Sequence, residues 1–539
     1  MTLKHGVQEI TTTAGTGTVT LYAVSNYSRV SDRFSVGDLI DYLITAENED
    51  KEWGVGTVGA GNTMARTTIT GTIIGSVYTS GGTALTLSGR STVSCVQHEG
   101  SNAAIWSLDA NNNPTGQRGP DGQFVRTIGG PRKAALLGDS IIAQNLEVSS
   151  GNTYYRGKGF LTWAQARLGH PWDIQAADNY AVGGTSTTVM ISSQLPLLKA
   201  GHLLYNYDRC FISSGTNDSQ AGDSLATIIE NTTRLIGDIG GLGIIPVHIG
   251  VLPRATSGGM TDRNRKNLRL NDWLANYAAR TGNLEFIQGA CESVANNADA
   301  NGYILAAASA DALHPNDWGA YYIGEALYNY YAGMGLPSAL QFAQSQADQF
   351  EATYNASGVL FDSPNPLLLG TAGSAPLEYP TGMSAAGTNC TWTKATRNLS
   401  NGQTRATSVC TIAGATSNGY LYDDNVASGA WDTEEIDEGD TIYAQAIVEV
   451  TTGAAGVQPY LTMVESDGVT TKTVSCLVRD VVDCPAIPNG TLLTLRTPNH
   501  VVRAYGGSGN CSVFSKLNVY SGGNTGVITV RAFEMRKVV

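Results

Sequence analysis

Ala134-Ala135-Leu136-Leu137-Gly138-Asp139-Ser140 decides how the centre of this chain folds. The four apolar residues read as a short strand buried on both faces, and Gly-Asp-Ser follows where a helix should begin. Working outward, 160–168 reads as a helix stopped by Gly169, and Arg209-Cys210-Phe211-Ile212-Ser213 as a second strand. A helix over 224–235, a strand at 244–249, a helix over 268–279 and a strand at 284–287 continue the alternation. A last helix, 318–334, follows Pro315 with Asn316 or Asp317 as its cap. This rhythm predicts a parallel sheet with helices on both faces.

In such a sheet, a residue just past the C-terminal end of a strand opens onto the ligand crevice. Ser140 has that place. A serine there is also an ordinary helix cap, and Gly222-Asp223-Ser224 repeats the tripeptide after polar sequence, where it reads as loop and cap only. Three later motifs separate the two cases: Asn179-Tyr180-Ala181-Val182-Gly183-Gly184-Thr185, Gly215-Thr216-Asn217-Asp218 and Asp311-Ala312-Leu313-His314-Pro315. Asp311 and His314, three apart in a loop, suit a carboxylate holding one imidazole nitrogen while the other faces a nucleophile. The Gly184 N–H and the Asn217 amide suit an oxyanion, each donor being worth on the order of 100- to 1000-fold in rate. His5, His98, His170, His202, His248 and His500 lack such a setting, and His248 reads as a core histidine.

Taken in order, the four motifs resemble the blocks of the SGNH (GDSL-like) hydrolases over roughly 131–335. The resemblance implies a flavodoxin-like α/β/α sandwich and a serine esterase that needs no cofactor and no metal. It implies Ser140 as nucleophile and oxyanion donor, Gly184 and Asn217 as further donors, His314 as base and Asp311 as its partner. Asp139 is expected to be structural.

The flanks differ in texture. Residues 1–100 are Thr/Gly-rich and β-prone, 101–130 read as a linker, 131–338 hold the hydrolase pattern, 339–359 read as a second linker, and 360–539 return to strands. In 442–450, Ile442, Ala444, Ala446, Val448 and Val450 share one face, the period of a half-buried strand, which suggests an antiparallel β-sandwich. The whole is therefore expected to be multidomain. Glu9-Ile10-Thr11-Thr12-Thr13-Ala14-Gly15-Thr16-Gly17, Glu52-Trp53-Gly54-Val55-Gly56 and Met64-Ala65-Arg66-Thr67-Thr68 resemble the amino-terminal module of tailed-phage tail proteins. The C-terminal texture resembles carbohydrate-binding modules.

Composition narrows the partners. A net charge of -13 disfavours nucleic acid, and 15% charged residues is too few for a disordered chain. No apolar run approaches the ~20 residues that span a bilayer, and the N-terminus lacks an apolar signal core, so a soluble chain without membrane insertion is expected. The eight cysteines include no Cys-x-x-Cys pair, which argues against zinc. A late disulfide and free buried thiols both remain open. Gly54–Gly59 fits a dinucleotide fingerprint without the β-α-β unit it needs, and no Gly-x-Ser-x-Gly elbow occurs.

The expectation is a phage tail-spike esterase that removes O-acetyl groups from a bacterial capsule or O-antigen. It would sit in the virion tail, attach through the N-terminal module to a tail or baseplate protein, and form a homotrimer. Tyr154, Tyr155, Trp163 and Trp172 are candidates for stacking on sugar rings. Two alternatives are an adhesin with an inactive hydrolase fold and a bacterial lipase or thioesterase.

Overall fold

The strand at 134–137 becomes the second strand of a five-stranded parallel sheet. In this computed structural model its strands are β1 Arg132–Gly138, β2 Trp172–Asp173, β3 Arg209–Ser213, β4 Ile245–His248 and β5 Glu285–Phe286, in spatial order β2-β1-β3-β4-β5. The residues described are 8–24, 29–48, 50–74, 77–80, 83–97, 106–108, 114–118, 124–126, 132–255, 260–334, 336, 338, 340–360, 365, 367–399, 401–413, 418–427, 435–453, 457–479, 485–507, 511–521 and 525–538. The chain divides into two units, 1–130 and 131–539.

Alternation along β1 explains its uninterrupted apolar sequence. Ala134 and Leu136 join the core that includes Phe160, Trp163 and Leu327, while Ala135 and Leu137 join a separate one with Leu195, Leu198, Leu235 and Ile239. The first core is covered by α2 Phe160–Leu168 and α7 Asp317–Ala332, the second by α3 Leu195–Tyr205 and α5 Leu225–Gly240. The first pair packs closely. A Cβ on Gly324 would lie 2.6 Å from that of Trp163. The expected stops are in place: Gly169 is left-handed at φ 81°, and Asn316 Oδ1 accepts from the Trp318 and Gly319 N–H groups. The helix expected over 268–279 is longer, α6 Met260–Thr281.

Because β2 and β3 flank β1 on opposite sides, the direction in which successive strands are added reverses at β1. Parallel sheets open a ligand crevice there, and α1 Ser140–Ala143 starts at that point.

One connection departs from the sequence expectation. The hairpin Leu146–Ser149/Asn152–Arg156 leaves the central sheet and adds to the C-terminal sandwich, with 152–156 pairing parallel to Thr471–Val478. The sandwich thus has a seven-stranded sheet containing this hairpin and an eight-stranded one. Ile442, Ala444, Ala446, Val448 and Val450 are all fully buried between the sheets. The stretch 339–359, expected as a linker, is tied to the sandwich: Asp348 pairs with Arg536 at 2.7 Å, and Gln445 donates to the Gln341 carbonyl at 2.6 Å. Cys210, Cys291, Cys390, Cys410 and Cys476 are free and buried, and Cys511 is buried. The side chains of Cys95 and Cys484 lie outside the described set.

In the first unit an eight-stranded sheet carries the motifs around Gly15, Glu52 and Arg66, and those motifs meet in its interior. Arg66 pairs with buried Glu52 at 3.0 Å and donates to the carbonyls of Gly15, Gly17 and Leu85, while the Tyr42 hydroxyl donates to Glu52 at 2.7 Å. The expected 101–130 linker contributes three short strands, Trp106–Leu108, Pro114–Arg118 and Phe124–Arg126, that pair antiparallel. Among the described residues, no helix is long and apolar enough to cross a membrane.

Candidate active site

Gly138 takes φ 153°, and a Cβ there would lie 2.6 Å from the Ser213 carbonyl oxygen, so only glycine lets β1 end against β3. The chain then turns into α1, with the Asp139 carboxylate accepting from the Ile141 N–H at 3.0 Å. Asp139 is thus a helix cap, as expected. Ser140, at the first turn, is half-buried.

His314 arrives from a loop 174 positions further on. Its Nε2 lies 2.7 Å from Ser140 Oγ, and its Nδ1 lies 2.6 Å from Asp311 Oδ2. The second carboxylate oxygen of Asp311 accepts from the backbone N–H groups of Leu313 at 3.0 Å and His314 at 2.7 Å. Ser309 Oγ closes the loop by donating to the His314 carbonyl at 2.6 Å. Partial burial works to raise the Asp311 pKa, but the His314 ring and these two N–H groups outweigh it and hold the group at about 2. Asp311 is therefore ionised throughout the neutral range and can stabilise an imidazolium. Such a relay activates a serine hydroxyl.

The two other motifs converge beside it. Val182 N–H donates to the Gly138 carbonyl at 3.1 Å, which brings the 179–185 loop against the end of β1. A Cβ on Gly183 would sit 3.6 Å from that of Ser140, and Gly184 follows with φ 79° in open space. Asn217, in α4 Thr216–Ala221, donates through Nδ2 to the Thr185 carbonyl at 2.9 Å, leaving the second N–H of that amide for another acceptor. Asp218 secures the chain just after this loop, accepting from the Thr187 N–H at 2.9 Å.

Sequence reasoning missed Gln194. Its amide brackets the Gly138 peptide, Oε1 accepting from Gly138 N–H and Nε2 donating to Gly138 carbonyl, both at 2.9 Å, and it also donates to Thr185 Oγ1 at 3.1 Å. A glutamine inside a helical stretch carries no local signal of this role. Gln194→Ala strands a buried N–H and should cost about 1–3 kcal/mol in urea denaturation. An unchanged midpoint would show that the bracket is dispensable.

The aromatic candidates divide. Trp163 and Trp172 are core residues, the first donating to the Gly157 carbonyl at 2.6 Å and the second edge-on to Phe211. Tyr155 is buried too, bonded to the Ile174 carbonyl. None of these three can stack on a sugar. Tyr154 stays half-buried on the hairpin, under the Arg156 guanidinium at 4.5 Å. His248 is a satisfied core histidine: Gly250 N–H donates to Nδ1 at 2.9 Å and Ser214 Oγ lies 3.0 Å from Nε2. Ser224, in the second Gly-Asp-Ser, caps α5 by accepting from Thr227 N–H at 3.1 Å.

Residues 136–321 match the GDSL-like lipase/acylhydrolase family. The chain carries a GDSL-like acylhydrolase domain. Among solved structures, it is similar to a GDSL-like lipase from Bacteroides thetaiotaomicron, at 16% identity over 38% of this chain and 89% of that one, TM-score 0.29. A lipolytic G-D-S-L protein from Veillonella parvula aligns at 18% identity over 37% of this chain and 98% of that one, TM-score 0.29. The enzymatically active domain of tailspike protein 4 from bacteriophage CBA120 aligns at 11% identity over 29% of this chain and 20% of that one, TM-score 0.20. No curated protein matches the chain.

Burial raises the Asp139 pKa to about 7, against the N–H bond from Ile141 and the nearby His314 and Arg254 that lower it. The folded chain therefore holds this proton more tightly than the unfolded chain does. Between about pH 4 and about pH 7 stability falls as pH rises, and above that window the loss is complete. Asp139→Asn keeps the capping acceptor without the charge. Its stability relative to the wild type should improve by on the order of a few kcal/mol from pH 5 to pH 8 in denaturant titrations. A gap independent of pH would contradict the burial argument.

Proposed function

We propose that the domain is a carbohydrate O-acetyl esterase, carried on a phage tail protein and acting on an acetylated bacterial surface polysaccharide. The observation that carries ester hydrolysis is the continuous Asp311–His314–Ser140 relay at the end of β1. Ser140 Oγ attacks the acetyl carbonyl as its proton passes to His314 Nε2, and Asp311 stabilises the imidazolium. The Ser140 and Gly184 N–H groups and the Asn217 amide receive the oxyanion. Collapse expels the sugar oxygen, which takes the proton from His314. Water, deprotonated by His314, then releases acetate and restores Ser140.

Two features support a polymeric glycan over a lipid. The cleft is open: Val182, Gly183 and Gly184 are exposed, and the Asp311 side chain is 55% exposed. The seven-stranded sheet also carries half-buried tyrosines on one face, in cross-strand rows. One row runs Tyr154, Ser475, Thr462, Lys516, Tyr422, and the neighbouring one joins Tyr460, Asn518 and Tyr420. Tyrosine faces of this kind suit sugar rings. The tail role, the homotrimer and attachment through the first unit rest on the resemblance of 1–100 to tail modules. The intact relay favours an active enzyme over a pure adhesin.

Acetate release from a panel of capsular and O-antigen polysaccharides tests the reading. Release from at least one, absent in Ser140→Ala, is expected. Turnover of long-chain p-nitrophenyl esters with no polysaccharide deacetylated would favour the lipase alternative.

A further inference from the structure

Among the described residues of the second unit, four arginines are almost fully buried, and three have their charge answered. Arg209, 6% exposed, pairs with Asp208 and Glu285; Arg496, 8% exposed, with Asp173; Arg536, 5% exposed, with Asp348 and Glu534. Arg254 is equally buried, at 5%, and among the described residues no carboxylate lies within ion-pair distance of it. The adjoining 256–261 segment, Thr-Ser-Gly-Gly-Met-Thr, contains no acid either. A buried cation without a counter-charge is costly, and no described carboxylate supplies that charge, which points to a partner from outside.

Its position says what that partner meets. Ala255 N–H donates to the Ala312 carbonyl at 2.9 Å, inside the Asp311–His314 loop. The Arg254 Nη1 donates to the Thr216 carbonyl at 3.4 Å and to Gln220 Oε1 at 2.9 Å, on either side of Asn217. The guanidinium is therefore set between the base loop and the oxyanion helix. Asn264 on α6 fixes its backbone, accepting from Arg254 N–H at 3.0 Å and donating to its carbonyl at 2.8 Å. Arg263 Nη1 reaches the same Gln220 Oε1 at 2.5 Å, and it too has no carboxylate within ion-pair distance among the described residues. Two guanidinium groups thus converge on one neutral oxygen.

The acids in electrostatic reach do not neutralise this pair. Asp139 is partly protonated near neutrality, and the Asp311 charge is committed to His314. Burial and the neighbouring Arg263 push the Arg254 guanidinium below its ordinary value, a penalty that a bound anion relieves. The excess extends along α6, whose first ten residues hold four cations and one acid in a chain of net charge -13.

We propose that Arg254 and Arg263, bridged by Gln220, bind the carboxylate of an acidic sugar, so that the acetyl esters cleaved at Ser140 are carried on a uronate-type polysaccharide. This rests on the glycan-esterase reading above. Guanidinium–carboxylate pairing supplies both affinity and orientation, setting the acetylated ring relative to the nucleophile.

Acetate release is compared on chemically acetylated polyglucuronate and chemically acetylated dextran, matched in acetyl content. The wild type should prefer the polyuronate in kcat/KM by about tenfold or more. Raising the salt from about 0.05 M to about 0.5 M should erode that preference. Arg263→Gln, on the partly exposed side of the pair, should lose most of the preference through KM, as should Arg254→Gln if it folds. Equal wild-type kcat/KM on the two polymers, or a preference untouched by Arg263→Gln, overturns the subsite. If neither polymer is deacetylated while p-nitrophenyl acetate is turned over, the glycan reading fails separately. Inhibition of that turnover by sodium glucuronate but not glucose, weakened in Arg263→Gln, then sustains the anion subsite; equal effects of the two sugars overturn it.

Discussion

Ser140→Ala should abolish ester hydrolysis, lowering kcat by about 10⁴-fold or more on p-nitrophenyl acetate. The Oγ is the one atom to which His314 Nε2 is hydrogen-bonded among the described residues, at 2.7 Å, so in the proposed mechanism its loss removes both the nucleophile and the base's target. The scaffold should persist. Asp139 still caps α1, the Gln194 bracket on Gly138 is untouched, and an alanine at 140 is a good helix residue. The expected protein is folded, with a near-native melting temperature, and inert. Adding His314→Ala to Ser140→Ala should cost little more, because members of one relay do not contribute independently. A Ser140→Ala protein retaining more than a few per cent of wild-type turnover would place the nucleophile elsewhere.

Asp311→Asn should lower kcat by roughly 10³- to 10⁴-fold, with a small change in KM. The asparagine Oδ1 can still accept from the Leu313 and His314 N–H groups, so the loop keeps its shape. What changes is the atom facing the ring. An amide N–H beside His314 Nδ1 makes that nitrogen an acceptor, which moves the ring proton to Nε2, where it can no longer receive one from Ser140. The lost carboxylate also leaves the imidazolium of the transition state without its counter-charge. With Asp311 held at about 2, wild-type activity should show no acid limb from this group above pH 4. Steady-state kinetics on both proteins from pH 5 to pH 9 check this. A kcat within tenfold of wild type would mean that the carboxylate only shapes the loop.

The legible parts of this chain are those set by neighbours in sequence. The alternation of β1, the Gly169 stop, the Asn316 cap and the five-residue face of 442–450 are local patterns, and the structure has each of them. The hairpin at 146–156 was not legible, because its partner strand at 471–478 lies more than three hundred positions away. Strand β2 is two residues long and gives no periodicity. Trp163 stands for a second kind of failure. Every residue from Phe160 to Ala166 is buried, so α2 has no amphipathic stripe to show which way its aromatic side chains face.

The candidate site divides along the same line. The identities of Ser140, Asp311 and His314 could be read from motif and order, whereas their hydrogen-bonded arrangement across 174 positions is a property of the fold. Gln194 and Arg254 were silent. Their meaning lies in what they touch, a glycine peptide in one case and an unanswered charge in the other.

The central claim, that Ser140 is an activated nucleophile, is tested most directly by covalent labelling. Wild-type protein treated with a fluorophosphonate and digested for mass spectrometry should carry one adduct, on the peptide containing Ser140. Loss of esterase activity should keep pace with labelling, and Ser140→Ala should take up no label. Labelling of another serine in step with inactivation, or full inactivation with Ser140 unmodified, would contradict the account.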